Sequence, residues 1–286
     1  MLKNPVLKRE LTTENRSLRF PVVLLLFCGL LMLLGLFCLY SFASKAEQTG
    51  YVDYSVMLQL YVLVVTAEFV LIMIYIPLPA GMSISREREA EQFDLLILTA
   101  VTPGQIVLGK LGAILATCLL LCVMGTPVLS LAFIYGGIRT TDILLFLGIL
   151  VVEVIYTASL GILISSFLKN GTIAVFLNYC VLLFTSMISF FFLFSPYFGF
   201  SAFRESIPLY LYYPLLLTPV SVFYELISSQ TGTAYAVFHA INSHGTYSHT
   251  IITDNWLLFS VGIHLCISIL ALYTASLQLT PSQNQE

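Results

Sequence analysis

Charge is what this chain has least of. Only 9% of its 286 residues are Asp, Glu, Lys or Arg, against about 25% in a soluble domain. That leaves too little polar surface to coat a water-soluble globule of this length, and the mean hydropathy of +0.95 agrees. The chain therefore reads as an all-α integral membrane protein. Cysteine is sparse too, and Cys28, Cys38, Cys118, Cys122, Cys180 and Cys266 all fall inside apolar runs. No disulfide framework is expected from that placement. Cys118 and Cys122 sit one helical turn apart, but thiolates in lipid are costly, so they read as small apolar residues rather than a metal pair. No nucleophile elbow, H-E-x-x-H, catalytic acid pair or dinucleotide fingerprint occurs, so an enzyme reading has no residues to carry it.

What is present is length of apolar sequence. A spanning helix needs about 20 mostly apolar residues, and six runs qualify: 20–43, 54–78, 107–135, 143–167, 172–194 and 256–278. The first is too long for the apolar core of a signal peptide and reads as a retained span. With the N-terminus cytoplasmic, nine basic residues lie inside: Lys3, Lys8, Arg9, Arg16, Arg19, Arg86, Arg88, Lys110 and Lys169. Three lie outside: Lys45, Arg139 and Arg204. This asymmetry predicts an N-in arrangement in a cell membrane, and six spans return the C-terminus to the cytoplasm. After Arg204 there is no Lys or Arg, and the charge rule falls silent. Residues 207–229, "IPLYLYYPLLLTPVSVFYELISS", are long enough for a seventh span. Pro208, Pro214 and Pro219 each remove a backbone donor, which favours a re-entrant or interfacial pair of half-helices within an outer segment, 195–255.

Two stretches outside the spans have their own signals. Asn4 can cap a helix that starts at Pro5. Leu7, Leu11 and Leu18 recur on one face of it, with Lys8, Arg9 and Arg16 mostly elsewhere. Residues 4–19 thus read as an amphipathic interfacial helix. The sequons at Asn15 and Asn170 lie inside on this topology and read as chance. The second stretch, "SISREREAEQFDLLILTAVTPGQIVLGK" from Ser83 to Lys110, joins the second and third spans. Ser85 is a candidate N-cap, Glu87 and Glu89 suit the helix dipole, and Arg86–Glu89 and Arg88–Glu91 are i, i+3 pairs. Within it, "GQIVLGK" has the spacing of a phosphate-binding loop, but Leu111 stands where Ser or Thr should hold magnesium. Thr102, Pro103 and Gln105 instead form a capping box, which places the match inside a helix. Lys110 then reads as an anchor at the inner surface. Composition alone makes the stretch a solvated loop with a few salt bridges.

The pattern "ISREREAEQFDLLILTAVTPGQIVLGKL", together with "NPVLKREL" at the N-terminus, resembles ABC-2 type transporter permeases. In that family a Glu-Arg-Glu run precedes a leucine-rich stretch ending in Thr and Pro; Ala90 stands here where many members carry glycine. The resemblance is specific mainly over residues 4–11 and 81–112, and it implies a single permease domain over 1–286 that lacks its own ATPase. A cytoplasmic ATP-binding cassette subunit, holding ATP and magnesium, is the implied partner, with a second permease copy or paralogue completing the pathway in lipid. No nucleic acid is expected as a partner. The implied coupling surface is the helix 83–97, with Arg86, Glu87, Arg88, Glu89, Glu91, Phe93, Asp94, Leu95 and Leu96. The function implied is export; the alternative is a non-transporting membrane scaffold or an assembly or maturation protein.

Two acids sit deep in the apolar runs, Glu68 and Glu153. An ionisable group at that depth is a functional candidate by default. Each can line a pathway, couple protons, or hydrogen-bond a neighbouring helix in its protonated form. His239, His244 and His249 recur every five residues, a spacing that suits neither a helix face nor a strand, so no metal site is expected.

Overall fold

The computed structural model describes residues 4–16, 18–50, 55–91, 102–134, 138–194, 209–232, 237 and 250–279. Among the described residues all regular structure is helical, and six helical segments are long and apolar enough to cross a membrane. The chain is a multi-pass membrane protein. The helices are α1 (Pro5–Arg16), α2 (Arg19–Thr49), α3 (Ser55–Tyr75), α4 (Pro77–Met82) and α5 (Ser85–Glu89). Then come α6 (Pro103–Ile134), α7 (Thr140–Phe167), α8 (Gly171–Phe194), a 3-10 helix (Leu209–Leu217), α9 (Pro219–Gln230), α10 (Ile251–Asp254) and α11 (Trp256–Gln278). All six expected runs coincide with these segments, the second, 54–78, with α3 and the start of α4, although the apolar segment itself continues through α5 to Glu89.

Local chemistry sets the boundaries. Asn4 Oδ1 accepts from Val6 N at 3.0 Å and Pro5 opens α1, as the sequence predicts. Gln105 N donates to Thr102 Oγ1 at 3.4 Å and Thr102 N donates to Gln105 Oε1 at 3.2 Å, so the capping box forms and "GQIVLGK" is helical. Asn170 Oδ1 accepts from Thr172 N and Ile173 N and starts α8; the residue read as a chance sequon is a cap. Gly50, at φ 73°, takes the left-handed conformation that ends α2.

Proline breaks are repaired by neighbours, because in lipid no water does it. Pro127 cannot donate to the carbonyl four residues back, Val123 O; that oxygen accepts instead from Thr126 Oγ1 at 2.7 Å. Pro77 separates α3 from α4, and at that bend Ile74 O accepts from Tyr179 Oη (2.7 Å) and Pro77 O from Asn178 Nδ2 (3.2 Å). From Leu209 the stretch is two helical pieces broken at Thr218, as Pro214 and Pro219 predict, although the first winds as a 3-10 helix; Pro208 lies outside the described residues. Thr218 and Ser221 hydroxyls both donate to Leu215 O, and Ser189 donates to Thr218 Oγ1.

The pieces pack through small residues. A Cβ on Gly161 of α7 would lie 2.5 Å from Ala80 Cβ of α4 and 2.5 Å from Asn178 Nδ2 of α8. Three backbones meet there because the side chains are minimal. α9 is wedged between α3 and α7: Phe223 stacks on Phe69 at 4.3 Å and meets Phe146 edge-on at 6.4 Å. Gln230 ties the end of α9 to Tyr61 Oη (2.7 Å) and Asp142 O (2.9 Å), while Leu217 O, just before it, accepts from Tyr156 Oη (2.9 Å). Asp142 and Tyr156 are fourteen residues apart on α7, about 21 Å along a helix. The stretch from Leu217 through α9 thus runs beside α7 over that depth.

Gly161→Ala is expected to destabilise the protein by about 1–3 kcal/mol through overpacking. Thermal unfolding of the purified protein in detergent checks it, and an unchanged midpoint would mean that these helices do not approach so closely.

Candidate functional site

At the end of the bundle where α6 begins, three helices are joined by charge. Lys110, in the second turn of α6, has only 4% of its side chain exposed. Its Nζ lies 3.1 Å from Glu87 Oε1 of α5 and 3.1 Å from Glu10 Oε1 of α1. Arg9 Nη2 donates to the same Glu87 oxygen at 3.1 Å. α1 reaches this position by lying against α6, where a Cβ on Gly109 would come within 2.9 Å of Val6 Cβ. Asn4 Nδ2 donates to Gln105 O at 2.7 Å on the same seam. The residue expected to be a surface anchor, Lys110, is therefore a buried cation at the junction of three elements. The apolar side of α1 explains it, because Val6 and Leu7 cover α6 and shut water out.

α5 is fixed from behind as well. Ile84 N and Ser85 N both donate to Ser165 Oγ of α7 at 2.9 Å. This corrects the expectation that Ser85 caps the helix: Ser85 is its first residue, donates to Gly81 O, and leaves capping to a serine from another span. Glu89 Oε2 accepts from Gly171 N at 3.3 Å, at the first turn of α8, where the helix dipole favours an anion.

The residues expected on the coupling surface divide into three groups. Glu87 is buried in the ion cluster, whereas Arg86, Glu89 and Glu91 are exposed and Arg88 is half-buried. Glu91 follows α5 with φ 55°, the left-handed region that a non-glycine residue enters only at a cost. Phe93, Asp94, Leu95 and Leu96 lie outside the described residues, as do His239, His244 and His249. What α5 offers is thus a short charged turn, exposed on one side and locked to α1, α6, α7 and α8 on the other.

The two intramembrane acids are both fully buried and occupy different surroundings. Glu68 of α3 packs against α6 at Gly125, where a Cβ would lie 2.9 Å from Oε1, and neither carboxyl oxygen has a partner among the described residues. Glu153 of α7 lies 2.9 Å from Nδ1 of His264 on α11. The imidazole stacks on Tyr156, with ring centroids 4.1 Å apart and planes 9° apart. The sequence reading passed over His264, since it is a lone histidine in an apolar run and its partner is 111 residues away. The one available signal was that the run 256–278 holds a single titratable imidazole at a depth where ionisable groups are rare. Among the described residues no three His, Cys, Asp or Glu side chains come together as a metal site.

Removing one partner from a buried ion pair leaves an uncompensated charge, at about 3–5 kcal/mol, while a solvent-exposed partner contributes about 1 kcal/mol or less. Lys110→Met is therefore expected to destabilise far more than Arg9→Met, whose side chain is 52% exposed. Chemical denaturation of the two variants in micelles checks the order, and equal losses would contradict it. No family model matches the sequence, and no curated protein matches it significantly.

Proposed function

We propose that this chain is the transmembrane permease subunit of an ATP-driven exporter, taking its push from a separate ATP-binding cassette subunit. One observation carries the reading. The stretch that resembles the ABC-2 permeases, residues 81–112, holds a short charged helix, α5, whose exposed side carries Arg86 and Glu89, with Glu91 exposed just beyond its end. Its buried side is ion-paired to the next span through Glu87 and Lys110. A protein bound to the exposed side cannot move α5 without moving α6 and α1. That is the mechanical requirement for coupling nucleotide-driven motion to a membrane pathway, with ATP and magnesium on the partner chain and no catalytic residues here.

The finer architecture follows the same reading. The N-terminus and the α5 face are cytoplasmic on the distribution of Lys and Arg, in a cell membrane. α1 lies at the inner interface, with Lys8 and Arg9 outward. The 3-10 helix and α9 form a re-entrant pair entering from the outer side, a view supported by the run beside α7 from the depth of Tyr156 to Asp142. A second permease copy or paralogue completes the pathway within lipid, and Glu68 and Glu153 are candidates to line it.

Affinity purification from native membranes, with mass spectrometry of the bound proteins, tests the reading. The expected result is an ATP-binding cassette subunit in stoichiometric amount. Arg86→Glu combined with Glu91→Lys, both on the exposed side, is expected to lower its binding by about tenfold or more with the fold intact. Wild-type protein that recovers no such subunit would favour the scaffold reading instead.

A further inference from the structure

The Glu153–His264 pair has unused capacity. Glu153 Oε1 and His264 Nδ1 satisfy each other at 2.9 Å, but Glu153 Oε2 and His264 Nε2 have no partner among the described residues. On α11, Trp256, Ser260 and His264 are spaced by four and share one face. All three are buried. Trp256 Nε1 and Ser260 Oγ likewise have no partner among the described residues. A line of polar atoms thus leads from the start of α11 to His264, over about 12 Å. Buried polar groups are almost always paired, and in lipid the demand is stricter. A file of them along one buried face of α11, starting where Trp256 packs against Tyr212, Leu215 and Leu216 of the 3-10 helix and ending on an acid and an imidazole, has the make-up of a route for water and protons.

We propose that Glu153 and His264 form a proton-binding site, reached by water from the end of the bundle that carries Trp256. With one proton held between Oε1 and Nδ1, the site has a net charge of −1. A hydronium ion arriving along the line gives up one proton and leaves as water. The new bond forms on the lone pair of Nε2 or of Oε2, the two atoms that lack partners. The loaded site is neutral overall, which suits its apolar surroundings. Tyr156 stacks on the imidazole and its hydroxyl is held by Leu217 O. Other titratable groups on the packed elements are engaged elsewhere. Glu68 of α3 faces Gly125 of α6, Glu225 of α9 accepts from Val237 N, and Tyr61 donates to Gln230. His264 Nδ1 is the hydrogen-bond partner of Glu153 among the described residues, so a proton added to either group is shared across the 2.9 Å contact. The site does not depend on the transport reading.

The chain has four histidines, so the triple variant His239→Asn, His244→Asn, His249→Asn leaves His264 as the sole imidazole. Nitrogen-15 spectra of that imidazole are recorded in proteoliposomes of known orientation, with pH stepped between about 5 and 8 on each side in turn. The expected result is a change of protonation state that follows pH on the Trp256 side and is removed or displaced by Glu153→Gln. An imidazole that keeps one state under both conditions, or follows only the pH on the Lys110 side, would overturn the proposal.

Discussion

The contact of Lys110 with Glu87 and Glu10 is the constraint on which this end of the protein depends. A cation buried to this degree is tolerated only where its anions are already in place, because its desolvation is otherwise uncompensated. The anions come from α5 and α1, so α1 has to arrive from 78 residues before Glu87 and 100 before Lys110. The seam of Gly109 and Val6 lets α1 approach closely enough to supply Glu10. Ser165 and Gly171 then hold the other side of α5 through its backbone and through Glu89. A five-residue helix has no stability of its own; here it is defined by what grips it.

The same logic extends into the bundle. Where proline interrupts a helix, a neighbouring hydroxyl or amide has been placed at the break: Thr126 beside Pro127, Tyr179 and Asn178 beside Pro77, Ser221 and Thr218 around Pro219. At Val123 O and Leu215 O these hydroxyls take the place of the donors that Pro127 and Pro219 lack. Against that background the atoms of Glu68, Glu153, His264 and Ser260 that have no partner among the described residues stand out chemically.

Much of the fold was legible in the sequence because its determinants are local. Span length is set by lipid thickness, and the caps at Asn4 and Thr102–Gln105 are short-range hydrogen bonds that the order of residues specifies. Prolines 214 and 219 gave away a broken helix for the same reason, although they do not distinguish a 3-10 turn from an α turn. The site was less legible. Glu87 read as a coupling-surface acid favoured by its helix dipole, and Lys110 as a surface anchor, because nothing in the sequence announces that they meet. The cap of α5 comes from Ser165, eighty residues away from Ser85, and His264 gains its meaning from Glu153. Tertiary partners of charged and polar groups decide such roles, and a single sequence carries no record of distance.

The account stands or falls on whether Glu87 and Lys110 are energetically one unit. A double-mutant cycle of Glu87→Gln and Lys110→Met, read from unfolding free energies in the same micelle, measures this directly. The account predicts a coupling of about 1–3 kcal/mol, the double variant being much less damaged than the sum of the singles. Additivity within about 0.5 kcal/mol would contradict it.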